Sequence, residues 1–195
     1  LFMLSELQAN NNFKDSLLFE ISKSEVDSVK YKNYKKLILY LENNDLDEAI
    51  HIGEDAIAFF RKSNQPGFEL GVRYLLPEVY FRAGQQKKVM ECVEKSIQLA
   101  KSTKEYKELG SAYILMSNYL MRYTEKIDSS LLYLNKASEI VKKHDLKKLQ
   151  ANIQANTGYL YQSNNDYTTS ISCYQKSAKL YMEVKDTISS IGSSI

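Results

Sequence analysis

The chain has two histidines, and one of them has a carboxylate within helical reach. His51 and Asp55 stand four residues apart, so a helix brings both to one face, where a divalent cation could take a nitrogen and an oxygen ligand. No third ligand lies nearby, and the pair falls opposite the apolar positions of its segment; a solvated pair is therefore expected. His144 closes a helical pattern beside Lys142 and Lys143, where positive charge complements the negative end of the helix dipole. Phosphate-cradling glycine loops, a nucleophile elbow and HExxH are all missing from the sequence. The chain is thus read as a non-enzyme with no catalytic residue, no metal and no cofactor. Recognition is the chemistry that remains, and Arg82 and Arg122, each preceded by an apolar residue (Phe81, Met121), recur at a fixed interval.

That interval belongs to the whole chain. Tyr40, Tyr80, Leu120 and Tyr161 form one column, and Ala49, Val89, Ser130 and Ser170 a second. Ala56, Ser96, Ala137 and Ser177 form a third, followed at once by Ile57, Ile97, Ser138 and Ala178. A period of about 40 residues means stacked supersecondary units rather than one globular core. The expected fold class is all-α: a right-handed α-α superhelix (solenoid) of antiparallel helix pairs. With 195 residues, 44% of them hydrophobic and 26% charged, the chain has the composition of a folded protein, and seven glycines and two prolines suit long helices. The net charge of +2 is spread over interleaved acids and bases, without the basic stripe that binds phosphate backbones, so direct nucleic-acid binding is not expected. No run approaches the roughly 20 apolar residues that span a bilayer; a membrane would be reached only through parts outside this chain. Cys92 and Cys173 occupy one column two repeats apart, roughly 20 Å at about 10 Å per helix layer. That is beyond disulfide reach, and both are expected to be packing thiols.

The units read as 28–65, 66–103, 104–145 and 146–185, with a partial repeat at 186–195 and an N-terminal helix or cap at 13–27. In the first, helix A runs from about Ser28 to Asn43 and helix B carries Ala49, Ile50, Ile52, Gly53, Ala56, Ile57 and Phe60 at helical spacing. Asp45 is expected to cap helix B, with Glu48 completing a capping box. Pro66 suits a helix start, Gly84 a turn at positive φ. The third unit turns through Thr124–Asp128, and the fourth turns at Asn164-Asn165-Asp166. Small residues in the Ala49 and Ala56 columns fit close helix approach.

Thr157-Gly158-x-x-Tyr161, then Asn165-Asp166-Tyr167, Ser170, Tyr174 and Ser177-Ala178, resembles the tetratricopeptide repeat (TPR), with Ser in place of both usual alanines. Leu76, Tyr80, Gly84 and Ser96 repeat the pattern, as do Tyr40, Asp45, Leu46, Ala49 and Ala56; the third unit keeps Ser117, Leu120 and Ala137. Against the usual period of about 34, the longer unit resembles the TPR sensor regions of bacterial histidine kinases and helix-turn-helix regulators.

The resemblance implies that helix A lines a concave groove. One row would then hold Tyr34, Tyr74 and Ile114, another Ile38, Glu78, Asn118 and Tyr159, and a third Arg82 and Arg122, with amides from Asn152 and Asn156. Arg82 and Arg122 are the expected anchors for an acidic group or a C-terminal carboxylate. The chaperone-binding clamp is absent, because Tyr34 and Ile38 stand where its Lys and Asn would be needed. The implied function is protein or peptide binding by the sensor or interaction region of a larger bacterial signal-transduction protein. The alternatives are a cytosolic regulator that binds a short signalling peptide, or a passive assembly scaffold. Self-association through helix edges is a further expectation. Residues 1–12, apolar Leu1-Phe2-Met3-Leu4 and then polar Asn10-Asn11-Asn12, read as the remnant of a secretory signal ending at Ala9 or as a disordered N-terminus. On the first reading the domain is periplasmic or extracytoplasmic; on the second it is cytoplasmic.

Overall fold

The computed structural model describes residues 2–124 and 126–184, with side chains from Asn12 onward. Nine α-helices and no strand occur among the described residues. The chain divides into two compact units, Leu1–Cys92 and Val93–Ile195. The first holds α1 (Phe2–Lys23), α2 (Asp27–Leu41), α3 (Leu46–Lys62), α4 (Pro66–Arg82) and the start of α5 (Gln86–Thr103). The second holds the rest of α5, then α6 (Tyr106–Thr124), α7 (Ile127–Lys143), α8 (Lys147–Ser163) and α9 (Tyr167–Glu183). In the first unit α1 packs on α2, α2 on α3 and α3 on α4, and α2 also lies against α4. The second unit repeats this with α6 on α7, α7 on α8, α8 on α9, and α6 against α8. The fold is the expected all-α helical repeat of solenoid class. The backbone of α1 crosses Asn10-Asn11-Asn12 unbroken, and the partial repeat expected at 186–195 lies outside the described residues.

One device ends five of the helices. Asn64, Gly84, Lys104, Asp145 and Asn165 all have positive φ, between 49° and 71°. The N–H of the next residue reaches back five positions in each case: Gln65 to Phe60, Gln85 to Tyr80, Glu105 to Ala100, Leu146 to Val141 and Asp166 to Tyr161, at 2.8–3.0 Å. This left-handed cap satisfies carbonyls the helix leaves open and reverses the chain within a few residues. Glycine announces it at position 84 alone; Lys104 pays the steric cost of a left-handed Cβ because the two flanking helices fix its backbone.

Asp45 caps α3 as expected, its carboxylate accepting from the Glu48 N–H at 3.0 Å. The capping box does not close. Asp45 donates its own N–H to the Leu41 carbonyl at 2.7 Å, and the Glu48 carboxylate instead accepts from Lys14 Nζ at 2.8 Å, which ties α1 to α3. That hydrogen bond raises the Lys14 pKa.

The small-residue columns are where helices meet. Ala49, Ala56 and Ala137 have no exposed surface, and a Cβ on Gly53 would come within 2.9 Å of Leu76 Cγ. In α9 one of the serines that replace alanine does more than fit: Ser177 Oγ donates to the Ala151 carbonyl of α8 at 2.9 Å. Phe60, fully buried, anchors the first unit, with Tyr31, Tyr34, Phe59 and Phe68 around it at centroid distances of 5.2–6.1 Å.

Pro77 lies inside α4, where it has no N–H to offer the carbonyl one turn back, that of Arg73. The Cys92 thiol donates to this carbonyl at 3.6 Å, a weak bond that replaces the missing one. Cys92 and Cys173 are both free and buried, and burial raises the Cys173 thiol pKa. Cys92→Ala should cost about 1 kcal/mol, the usual penalty for stranding a buried acceptor, whereas Cys92→Ser should recover most of it. Urea unfolding followed by circular dichroism would measure both; equal losses for Ala and Ser would show that the bond to Arg73 contributes nothing.

Candidate functional site

In the first unit the expected groove residues separate into different environments. Ile38 is fully buried, so it belongs to the core and not to a ligand surface. Tyr34 is half-buried against Phe59 and Phe60, with ring centroids 6.4 and 5.9 Å away; burial, reinforced by Asp55, raises its phenol pKa. Glu78 is half-buried, while Tyr74 leaves 52% of its surface exposed. Arg82 is engaged by its own fold. Its Nη1 donates to Glu42 Oε1 at 3.2 Å and to Asn43 Oδ1 at 3.1 Å. Glu42 stands two residues after Tyr40 as Arg82 stands two after Tyr80, so successive repeats place the acid beside the base. Arg82 borders a shallow hollow of about 450 Å³ with Glu42, Asp45 and Asp47. Three carboxylates around one neutralised arginine make that hollow unsuitable for the carboxylate it was expected to hold.

In the second unit Ile114 is buried at 7% exposure and joins the core, again against expectation. Asn118 is half-buried. Asn152 accepts a hydrogen bond from the Tyr181 hydroxyl, and Asn156 donates its amide to the Asn152 backbone carbonyl at 2.8 Å. The Asn152 amide oxygen thus ties α8 to α9, and the Asn156 amide nitrogen braces α8 on itself. Arg122 and Tyr159 are brought together. With Met121, Ile127 and Ser163 they line a hollow of about 510 Å³, and Tyr159 is 53% exposed. The Arg122 guanidinium carbon lies 5.6 Å from the centre of the Tyr119 ring.

His51 Nδ1 and Asp55 Oδ2 are 3.5 Å apart with both side chains exposed, and no cluster of three or more metal-ligating residues occurs among the described residues. Beside them is a contact the sequence did not announce: Glu54 accepts from Tyr80 at 2.9 Å and from Lys88 at 3.0 Å. Burial pushes the Glu54 carboxyl up, but the two hydrogen bonds outweigh it and hold the pKa below the ordinary value. Burial, and then the bond to Glu54, push the Tyr80 phenol far up. His144 is stacked on Tyr106 with centroids 3.7 Å apart and planes 15° apart. None of the described helices is long and apolar enough to cross a membrane.

Repeated helix pairs, with aromatic and cationic side chains at their ends, place the chain among the all-α helical repeats. No family model matches the chain, and no curated protein matches it. Among solved structures it is similar to the crystal structure of BtubC (BKLC) from P. vanneervenii, with a TM-score of 0.71 and 14% identity. The match covers 95% of this chain and 88% of that chain. At such low identity the likeness shows the fold alone.

Proposed function

We propose that the chain is a protein- or peptide-binding helical-repeat domain of TPR type, acting as the sensor or interaction region of a larger bacterial signal-transduction protein. The observation that carries the reading is Tyr159, a residue 53% exposed that lines one hollow with Arg122. A rigid ring with a polar tip gives large contact area at small entropic cost, and Tyr and Arg dominate the energetics of recognition surfaces. Binding at such a surface would bias the conformation of whatever output the parent protein carries.

Display selection from a random peptide library tests this reading. The expected result is a sequence-related pool that binds the wild type and loses about tenfold in affinity to Tyr159→Ala, a typical cost for removing an anchoring aromatic. A pool that binds the variant equally well, or no enrichment at all, would favour the passive scaffold instead.

A further inference from the structure

Four described connections lead into a helix A, and three of them use the left-handed cap, at Asn64, Lys104 and Asp145. The exception joins α1 to α2. No residue from Ser24 to Val26 has positive φ. The Ser24 N–H makes the ordinary helical bond to the Glu20 carbonyl at 3.0 Å, and the chain then passes through Val26 in extended form, with φ −95° and ψ 113°. The Ser24 hydroxyl holds the bend, accepting from the Val26 N–H at 3.1 Å and donating to the Val26 carbonyl at 3.3 Å. The helix it leads from stands in the place of a helix B. Lys23-Ser24 matches Lys62-Ser63, and Leu17 and Ile21 then fall in the columns of Ala56 and Phe60. Those two are the buried apolar residues among the described side chains of α1, whereas α3 buries six residues. α1 is also held by Lys14 to Glu48 of α3, by Asn33 Nδ2 of α2 donating to Glu20 Oε2 at 2.8 Å, and by Phe13 edge-on to Tyr40 at 5.1 Å between ring centroids. On either side of the bend Phe19, Val26 and Val29 leave 62%, 56% and 42% of their surface exposed.

We infer that α1 exchanges between two copies of this chain, each copy's α1 docking on α2 and α3 of the other, with Ser24 to Val26 as the hinge. The bend has no left-handed cap to break, and a hinge is a short segment that absorbs such a change of backbone. Every contact that holds α1 is kept, because the second copy offers the same Glu48, Asn33 and Tyr40. The crossing of the two hinges adds a new contact, in which Phe19, Val26 and Val29 of each copy cover those of the other and leave water. Against this stands the lost freedom of one molecule, so the exchanged dimer forms at high concentration and the closed monomer at low. An unrelated helix would have to reproduce Lys14, Leu17, Glu20 and Ile21 at their spacing; a second α1 does so by identity.

The Lys14–Glu48 pair supplies the test, because its side chains are 30% and 29% exposed and tolerate reversal. Lys14→Glu alone, or Glu48→Lys alone, sets like charges against each other both within a chain and in an exchanged dimer of that variant. Mixing the two variants restores opposite charges only where α1 of one docks on α3 of the other. The measurement is molar mass by light scattering over a concentration series, with circular dichroism to follow helix content. The expected result is a wild type that passes from monomer to dimer as concentration rises. The mixture should form mixed dimers at a concentration about tenfold below that needed by either variant alone, the joint effect of two restored pairs. The double variant, Lys14→Glu with Glu48→Lys, should behave as the wild type. Phe19→Gln with Val29→Gln should lower the dimer fraction while leaving the monomer's urea midpoint nearly unchanged, since both positions are exposed in the monomer. A dimer fraction indifferent to that pair of substitutions would overturn the hinge crossing. Mixed dimers no more abundant than each variant's own, with the wild type dimeric, would place the interface elsewhere and overturn the exchange. A wild type and a mixture that both stay monomeric at millimolar concentration would overturn it as well.

Discussion

Phe60→Ala should destabilise the first unit by about 3–5 kcal/mol, the range for emptying a fully buried aromatic site. The ring has no exposed surface, and four other rings from α2, α3 and α4 close around it. Removing it takes away the apolar transfer term and opens a cavity whose walls belong to three different helices. Those walls cannot collapse together without disturbing the Tyr31–Phe68 stack, whose ring centroids are 5.0 Å apart. Phe60→Leu keeps most of the volume and should cost about 1–2 kcal/mol, losing mainly the aromatic contacts. The chain has fifteen tyrosines and no tryptophan, so denaturant unfolding is best followed by tyrosine emission together with circular dichroism. A loss below about 1 kcal/mol for the alanine variant would mean that the cluster rearranges freely, contrary to its packing.

The repeat was legible because packing constrains it at fixed intervals. Where two helices approach closely small side chains are favoured, so the Ala56 column, all Ala or Ser, and the Ala49 column, which departs from them only at Val89, stand out in the sequence. Gly84 was legible for the same reason, since its backbone demand shows in its residue type. Lys104 carries the same positive φ with no such mark: there the fold imposes the conformation and the residue tolerates it. The binding residues were read less well. Ile38 and Ile114 were assigned to a groove from the family's geometry, but aliphatic side chains on helices covered on two sides are buried first. Arg82 had a signal that could have been used. Glu42 stands in its column one repeat earlier, and columns become neighbours when repeats stack. Asn152 and Asn156 could not be sorted this way, because their partners are a backbone carbonyl and a tyrosine in another helix.

Glu69→Ala should be the most damaging polar substitution, at about 3–5 kcal/mol, because it strands a buried charge. Glu69 and Arg73 lie one turn apart on α4, where sequence alone suggests an ordinary solvated pair, yet both side chains are only 6% exposed. Glu69 Oε1 accepts from Arg73 Nε at 2.9 Å and lies 2.8 Å from its Nη2, while Arg61 of α3 reaches the same oxygen at 3.1 Å. Arg61 is mostly exposed and can turn to water when the carboxylate is gone; Arg73 cannot, so the cost falls on it. This asymmetry makes a specific pattern. Arg61→Ala should cost under about 1 kcal/mol, as exposed partners do, and Arg73→Ala should approach the loss seen for Glu69→Ala. Replacing the pair together, Glu69→Leu with Arg73→Met, should recover most of the stability, because apolar groups of similar volume need no compensating charge. A double-mutant cycle read from urea midpoints supplies the coupling energy. Additive single losses would show that the two side chains do not depend on each other. Strong coupling, with the apolar pair tolerated, would show that the ion pair's stability comes from mutual neutralisation and that α4 needs only a filled, neutral interior at this level.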